Sequence, residues 1–191
     1  MVVIRSASAA DAAQVAGVQR ESWRAAYDGI IAREIIDEVM MPDDGARVRQ
    51  TFLTRPWQRM IVAVDEPAGV VGYASFGPEV DVLGAPWPHP PTKGGEEGQV
   101  GELYALYVHP DWWSTGTGRA LMNRVLARTR RAAYPEIVLW VLEGNAPARR
   151  FNERAGFAPD GARNVLHRLG AVGEVRYRRF LDAYYDLDLR L

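Results

Sequence analysis

The stretch Glu102-Leu-Tyr-Ala-Leu-Tyr-Val108-His-Pro-Asp-Trp-Trp113-Ser-Thr-Gly116-Thr-Gly118-Arg-Ala-Leu-Met122 decides the fold. Its first part belongs to a run, Val100 to Val108, of aromatic and aliphatic residues that reads as a β-strand. His109-Pro110 ends that strand, because proline has no N–H to continue a ladder. From Gly118 to Ala133 the period changes. Leu121, Met122, Val125, Leu126 and Ala133 fall on one side and Arg124, Arg128 and Arg131 off it, which predicts an amphipathic helix. Between strand and helix lies a turn of small residues. Backbone N–H groups converge at such a turn, and the helix start adds about half a positive charge, so the geometry suits phosphate or pyrophosphate. Gly116 and Gly118 permit close backbone approach; the plainer alternative is that they only shape the turn.

Working outward, Val2 to Ser6 reads as a first strand. Ser8 with Asp11 resembles a capping box ahead of a helix that runs to about Tyr27, with Ala12, Val15, Ala16, Val18, Trp23 and Ala26 as its apolar positions. Ile31 to Met40 is a second helical stretch, and Pro42-Asp43-Asp44 starts another turn or two before Arg55-Pro56. Met60 to Val64 and Val70 to Phe76 form an antiparallel hairpin across Asp65-Glu66-Pro67-Ala68-Gly69. Gly77 to Gln99, with five prolines and no sustained period, is a long flexible loop, either a lid or a segment without function. C-terminal to the amphipathic helix come a strand at Ile137 to Leu142, a helix at Ala146 to Ala155 started by Pro147 and ended by Gly156, and a late strand at Glu174 to Leu181. Residues 182–191 are an ambiguous tail. This order predicts one mixed α/β domain over 1–191.

Composition narrows the chemistry. A chain of 191 residues, 48% hydrophobic and 25% charged, suits one compact domain. Its 23 basic and 24 acidic residues nearly cancel, so no global field favours nucleic acid or an anionic membrane, and neither is an expected partner. With no cysteine, the chain has no disulfide and no thiol nucleophile. His89, His109 and His167 lack metal-ligand spacing, so no metal is expected. The apolar N-terminal run is too short for a signal peptide and no segment approaches a membrane span, so the expected location is cytoplasmic. Arginine outnumbers lysine 22 to 1, a composition bias that points to a bacterial source.

Known phosphate loops do not fit the deciding turn. Arg119, not lysine, follows Gly118, which fails the Walker pattern, and Leu121 stands where a dinucleotide fingerprint has its third glycine. There is no G-x-S-x-G elbow. A kinase or NTPase reading also lacks its Mg²⁺ residues.

At Glu102 to Met122, at the first strand and the Ser22-Trp23-Arg24-Ala25-Ala26-Tyr27 helix, and at Asn145-Ala-Pro-Ala148-Arg-Arg-Phe151-Asn-Glu-Arg-Ala-Gly156-Phe157, the chain resembles the GNAT acetyltransferase superfamily. Two motifs in order carry the resemblance: Q/R-x-x-G-x-G/A, with Trp113 at the Q/R position, and N-x-x-A-x-x-F-Y-x-x-x-G-F, with Asn152 at the tyrosine. It implies a mostly antiparallel sheet with splayed central strands and helices on both faces. It also implies that backbone groups of Leu106, Tyr107 and Val108 pair with the pantetheine arm of acetyl-CoA. Trp113, Ser114, Thr115, Gly116, Thr117 and Gly118, with Arg119, would wrap the pyrophosphate. Asn145 would bond the pantetheine arm, cap a helix, or do both. Arg149 and Arg150 either meet cofactor phosphates or are solvated. Phe151 and Phe157 read as packing.

For direct transfer an amine must lose a proton, and Glu102 is the base candidate; the alternative is a strand-end surface carboxylate. The Val108 N–H would polarise the thioester where the strand bulges from its neighbour. Asn152 can donate a hydrogen bond but no proton, so the thiolate leaves with Asn152 or water as donor, or Tyr104 or Tyr107 acts as acid. Trp23 and Tyr27, at i and i+4, border an acceptor groove together with Tyr104, or form a core pair. The expected activity is acetyl transfer from acetyl-CoA to a small-molecule or protein amine in a ternary complex, by a monomer or homodimer. The alternative is a non-catalytic module that binds CoA or an acyl-CoA as a sensor.

Overall fold

The computed structural model describes residues 1–39, 45–55, 57–79 and 100–181. In chain order the elements are β1 (Val3–Ser6), α1 (Ala12–Ala26), α2 (Arg33–Val39), α3 (Ala46–Thr54), β2 (Arg59–Asp65), β3 (Gly69–Pro78), β4 (Gly101–Val108), α4 (Thr117–Arg131), β5 (Glu136–Leu142), α5 (Ala146–Arg154), β6 (Ala158–Leu166) and β7 (Val172–Phe180). The strands form one sheet in the order β1-β2-β3-β4-β5-β7-β6. Every neighbouring pair is antiparallel except β4 and β5.

Side chains that alternate along the strands fill two faces. On one face Ala74 and Phe76 of β3, Leu103 and Val108 of β4, Ile137, Leu139 and Val141 of β5 and Val175 and Tyr177 of β7 pack under Leu121, Met122, Val125 and Leu126 of α4. On the other, Val15 and Val18 of α1 cover Val62 and Tyr73. Beside them Trp23 of α1 packs with Ile31, Ile36, Leu142 and Leu169. The mixed sheet thus carries helices on both faces, as the motif resemblance implies.

The centre of the sheet opens. β4 and β5 pair only at Gly101, Glu102 and Leu103 against Ile137, Val138 and Leu139. Beyond that point β4 runs on with β3, through a register shift in which Phe76 opposes Leu103 and Ser75 opposes Ala105, leaving Tyr104 as the extra residue. β5 runs on with β7. From Tyr104 to Val108, β4 has no ladder partner on its β5 side among the described residues, so a row of backbone groups faces a gap inside the sheet. The strand irregularity lies at Tyr104 and not at Val108, which corrects the expectation that the bulge falls beside the Val108 N–H.

Three further differences from the sequence reading have physical causes. β6 was not expected, because Pro159 and Gly161 break its pattern; it is the outer strand, where a register shift between Pro159 and Arg163 accommodates them. The strand before the long loop continues through Gly77 and Pro78, and Glu79 N–H donates to the Val100 carbonyl at 2.7 Å. The rest of that loop, including Trp87, Glu96 and Glu97, and the tail at 182–191 lie outside the described residues. Third, the turn or two before Arg55 is a nine-residue helix, α3.

Candidate active site

The gap between β4 and β5 is the floor of a cleft of about 1960 Å³, walled by α1, by the turn before α4 and by α5. Three bonds fix the end of β4. The Val108 carbonyl accepts from the Ser22 hydroxyl at 2.9 Å and from the Trp113 indole N–H at 2.7 Å, while the His109 N–H donates to the Val71 carbonyl at 2.8 Å. The turn then folds on itself: the Trp112 N–H reaches the His109 carbonyl (2.9 Å), the Trp113 N–H the Pro110 carbonyl (3.0 Å) and the Thr115 hydroxyl the Trp112 carbonyl (2.7 Å).

Ser114 (φ 63°) and Gly116 (φ 92°) take left-handed backbone, and Gly116 caps α4. A Cβ on Gly116 would meet no atom within 4 Å, so the space beside it is open and the need for glycine is conformational. Gly118 differs: its Cβ would stand 3.5 Å from the Phe151 ring, an ordinary contact, so neither space nor backbone angle demands glycine there. Helix geometry leaves the amides of Thr117, Gly118 and Arg119 without partners inside α4. Trp113, Ser114, Thr115, Gly116, Gly118 and Arg119 all line the cleft; Thr117 is buried, its hydroxyl 2.9 Å from that of Thr115.

On α5, Asn145 accepts the Ala148 N–H at 3.1 Å and so caps the helix, and it also lines the cleft. Asn152 is buried and lines the cleft from the same helix. Arg149 does not line it. Its guanidinium donates to the Tyr177 hydroxyl (3.0 Å) and the Glu143 carbonyl (3.3 Å). Arg119 and Arg154 are the α4 and α5 arginines on the cleft.

Glu102 lies in mid-sheet between Gly77 and Val138, only 4% exposed, and lines the cleft. A surface carboxylate is thereby excluded. Tyr104 beside it donates its hydroxyl to the Pro78 carbonyl, and burial, reinforced by the Glu102 charge, pushes its phenol far above the ordinary range. Tyr104 therefore holds its proton, and that proton is already engaged. Leu106, Tyr107 and Val108 form the open edge above, and all three line the cleft.

The Tyr107 and Tyr27 hydroxyls stand 3.2 Å apart, and burial raises both phenols. Trp23 meets Tyr27 edge-on with ring centroids 5.0 Å apart; both border the cleft while Trp23 also belongs to the core. Ser22 and Glu174 are among the cleft residues that the sequence reading did not assign to the site. Ser22 follows Val15 and Val18 at helical spacing, so a hydroxyl in an apolar stripe was a usable signal. Glu174 gave none, because with Arg176 and Arg178 it reads as the solvated side of an alternating strand. Among the described residues no group of three or more His, Asp or Glu could hold a metal, and no helix is long and apolar enough to cross a membrane.

Comparison with known proteins agrees with this geometry. The model of the acetyltransferase (GNAT) family matches residues 21–157. An uncharacterized N-acetyltransferase of Bacillus subtilis (strain 168) is 29% identical over 145 residues, 76% of this chain and 74% of the relative. A mycothiol acetyltransferase of Thermobifida fusca is 31% identical over 150 residues, 74% of this chain but only 41% of that longer protein. Among solved structures, the PaiA N-acetyltransferase of Thermoplasma acidophilum in complex with coenzyme A superposes with a TM-score of 0.67 at 18% identity, covering 92% of this chain and 98% of that one. The YncA structure from Salmonella typhimurium with its cofactor acetyl-CoA gives a TM-score of 0.65 at 22% identity, covering 98% of each. At these identities the structures speak for the fold alone.

Proposed function

This chain belongs to the acetyltransferase (GNAT) family, and from that premise we propose that it is an N-acetyltransferase moving the acetyl group of acetyl-CoA to an amine acceptor by direct transfer within a ternary complex. The observation that carries the reading is the opening of the sheet. β4 leaves β5 after three residue pairs and ends in a turn that delivers it to the start of α4. One open strand edge and one helix N-terminus thus stand in line along a single cleft.

These residues fit acetyl-CoA. On the cleft side the Leu106 backbone and the Val108 N–H have no ladder partner among the described residues, while the Val108 carbonyl is held by Ser22 and Trp113 and the Tyr107 backbone faces β3; the open groups can pair with the amides of a pantetheine arm as an added strand would. The open space at Gly116, the amides at the start of α4 and the Arg119 side chain receive a pyrophosphate. Binding there needs no side chain at Trp113. Acetyl-CoA supplies the activated thioester and the only reactive sulfur, since the chain has no cysteine.

Glu102 takes the proton from the acceptor ammonium, directly or through a water; its burial beside the vertex of the opening, on the cleft wall, supports that role. Backbone N–H groups of the open edge are the donors toward the thioester carbonyl. The departing thiolate, whose conjugate thiol has a pKa of about 8.5, needs little acid assistance, and Asn152 donates a hydrogen bond to it. Tyr104 does not serve as acid, because its hydroxyl is spent on Pro78.

A sensor module would bind the same acyl-CoA, but it would have no use for a buried carboxylate on the cleft wall. A panel of amines with acetyl-CoA, read by release of free thiol, separates the two. Turnover is expected with at least one amine, and Glu102→Gln should lower kcat by about a hundredfold or more while acetyl-CoA still binds. Thiol release no faster than hydrolysis across the panel, or a fully active Glu102→Gln, would overturn the enzyme reading.

A further inference from the structure

We infer that the acceptor is a dication, an amine that carries a second ammonium group, and that Glu174 is the seat of that second charge. The inference rests on the acetyltransferase reading above and adds the class of acceptor to it.

Glu102 opposes Val138 on β5, and Glu174 opposes Leu142. Directly opposed residues share a sheet face, and Val138 and Leu142, four apart on one strand, share it too. Both glutamates therefore project to the face that α1 covers, where Leu142 packs with Trp23. Both line the same cleft, one at the vertex of the opening and one at its wide end. Four residues of strand separate their rows by about 13 Å along the sheet and two strand spacings by about 10 Å across it, a span that two inward-leaning glutamate side chains shorten.

Among the described residues Glu174 forms no ion pair. Asn164 Nδ2 donates to Oε1 at 2.9 Å, and that is its one side-chain hydrogen bond among the described residues. Arg176, two residues on and on the same face, is held by Glu79 at 2.9 Å and by Asp160 at 2.8 Å. Arg168 lines the cleft and favours the Glu174 charge from a distance, but no ion pair joins them. Burial outweighs these aids and raises the Glu174 carboxyl above its ordinary range, so a cation placed against it would restore a charge the pocket now disfavours.

Tyr27 and Tyr107 stand close enough to this carboxylate to feel its charge, and Trp23 packs against both rings. Aromatic walls and one unpaired carboxylate are the surroundings an ammonium group seeks. An acceptor that presents one amine near Glu102 and rests another on Glu174 is thus an α,ω-diamine or a longer polyamine, with about five or more carbons between the nitrogens.

Three acceptors of equal length test this: 1,5-diaminopentane, n-pentylamine and 5-aminopentanoate, which end in a positive, a neutral and a negative group. With saturating acetyl-CoA and free thiol as readout, kcat/KM should be at least about tenfold higher for the diamine than for pentylamine, with 5-aminopentanoate poorest. Glu174→Gln should bring the diamine-to-monoamine ratio to about one, and Glu174→Asp should keep its direction. Diaminopentane should also raise the melting midpoint of the CoA-loaded protein more than pentylamine does, a readout independent of turnover. The rise that acetyl-CoA produces in Glu174→Gln shows whether that variant is folded.

Equal use of all three acceptors, preference for the carboxylate through Arg168, or an unchanged ratio in folded Glu174→Gln overturns the dication inference and leaves acetyl transfer standing. No thiol release with any amine, while acetyl-CoA binds, overturns both.

Discussion

Trp113 stands where the family motif has glutamine or arginine, and its indole N–H does a backbone's work. At 2.7 Å it holds the Val108 carbonyl, which the Ser22 hydroxyl also holds at 2.9 Å, so the turn is tied back onto the strand it leaves. Trp113 is thus a positioning residue, and removing its N–H loosens the register between open edge and turn. Trp113→Phe should raise the KM for acetyl-CoA about five- to tenfold with kcat changed less than about twofold, measured by thiol release at saturating acceptor. An unchanged KM would mean the bond positions nothing. At this scale the sequence was informative where a residue type carried its own chemistry. Gly116 and Asn145 could be singled out because a left-handed cap and a helix start have few solutions. For Arg149, nothing in a helix sequence shows that Tyr177, from a distant strand, takes its guanidinium.

Among the elements, the start of the first helix is fixed by Ser8 and Asp11. The Asp11 carboxylate accepts the Ser8 N–H at 2.8 Å and its hydroxyl at 3.0 Å, and the Arg5 guanidinium grips it at 2.6 and 2.8 Å. The Arg5 hydrogen bonds foremost, then the Ser8 bonds, lower the Asp11 pKa to about 2 from 3.8 against the opposing effect of burial. A depressed carboxylate stabilises the fold above its unfolded pKa and loses that stabilisation as pH falls through its folded one. Asp11→Asn should therefore cost about 1 kcal/mol at pH 7, discounted for the half-exposed Arg5, and the difference from the parent should shrink between about pH 4 and 2. Denaturant melts at several pH values measure it; a cost independent of pH would contradict the ion-pair origin. This capping box was readable from two residues, and the β2–β3 hairpin from two apolar runs around a turn. β6 was not, since a strand at the sheet edge keeps most of its side chains in water and so has no apolar alternation to show.

For the whole molecule, the separation of β4 from β5 is what turns a sheet into a site. Only three residue pairs join these strands, and both go on to pair with other neighbours, so the opening is built into the topology and needs no ligand to wedge it. No period or composition in the chain predicts a gap between two apolar strands; two motifs in order implied it. The proposed acetyl-CoA site is tested most directly by thermal unfolding of the protein with and without acetyl-CoA. At a ligand concentration a hundred times the dissociation constant, linkage gives about 2.7 kcal/mol, a rise of about 5–10 °C in midpoint for a chain of this size. A saturable rise of that order is predicted. A midpoint that does not move at millimolar acetyl-CoA would contradict the account.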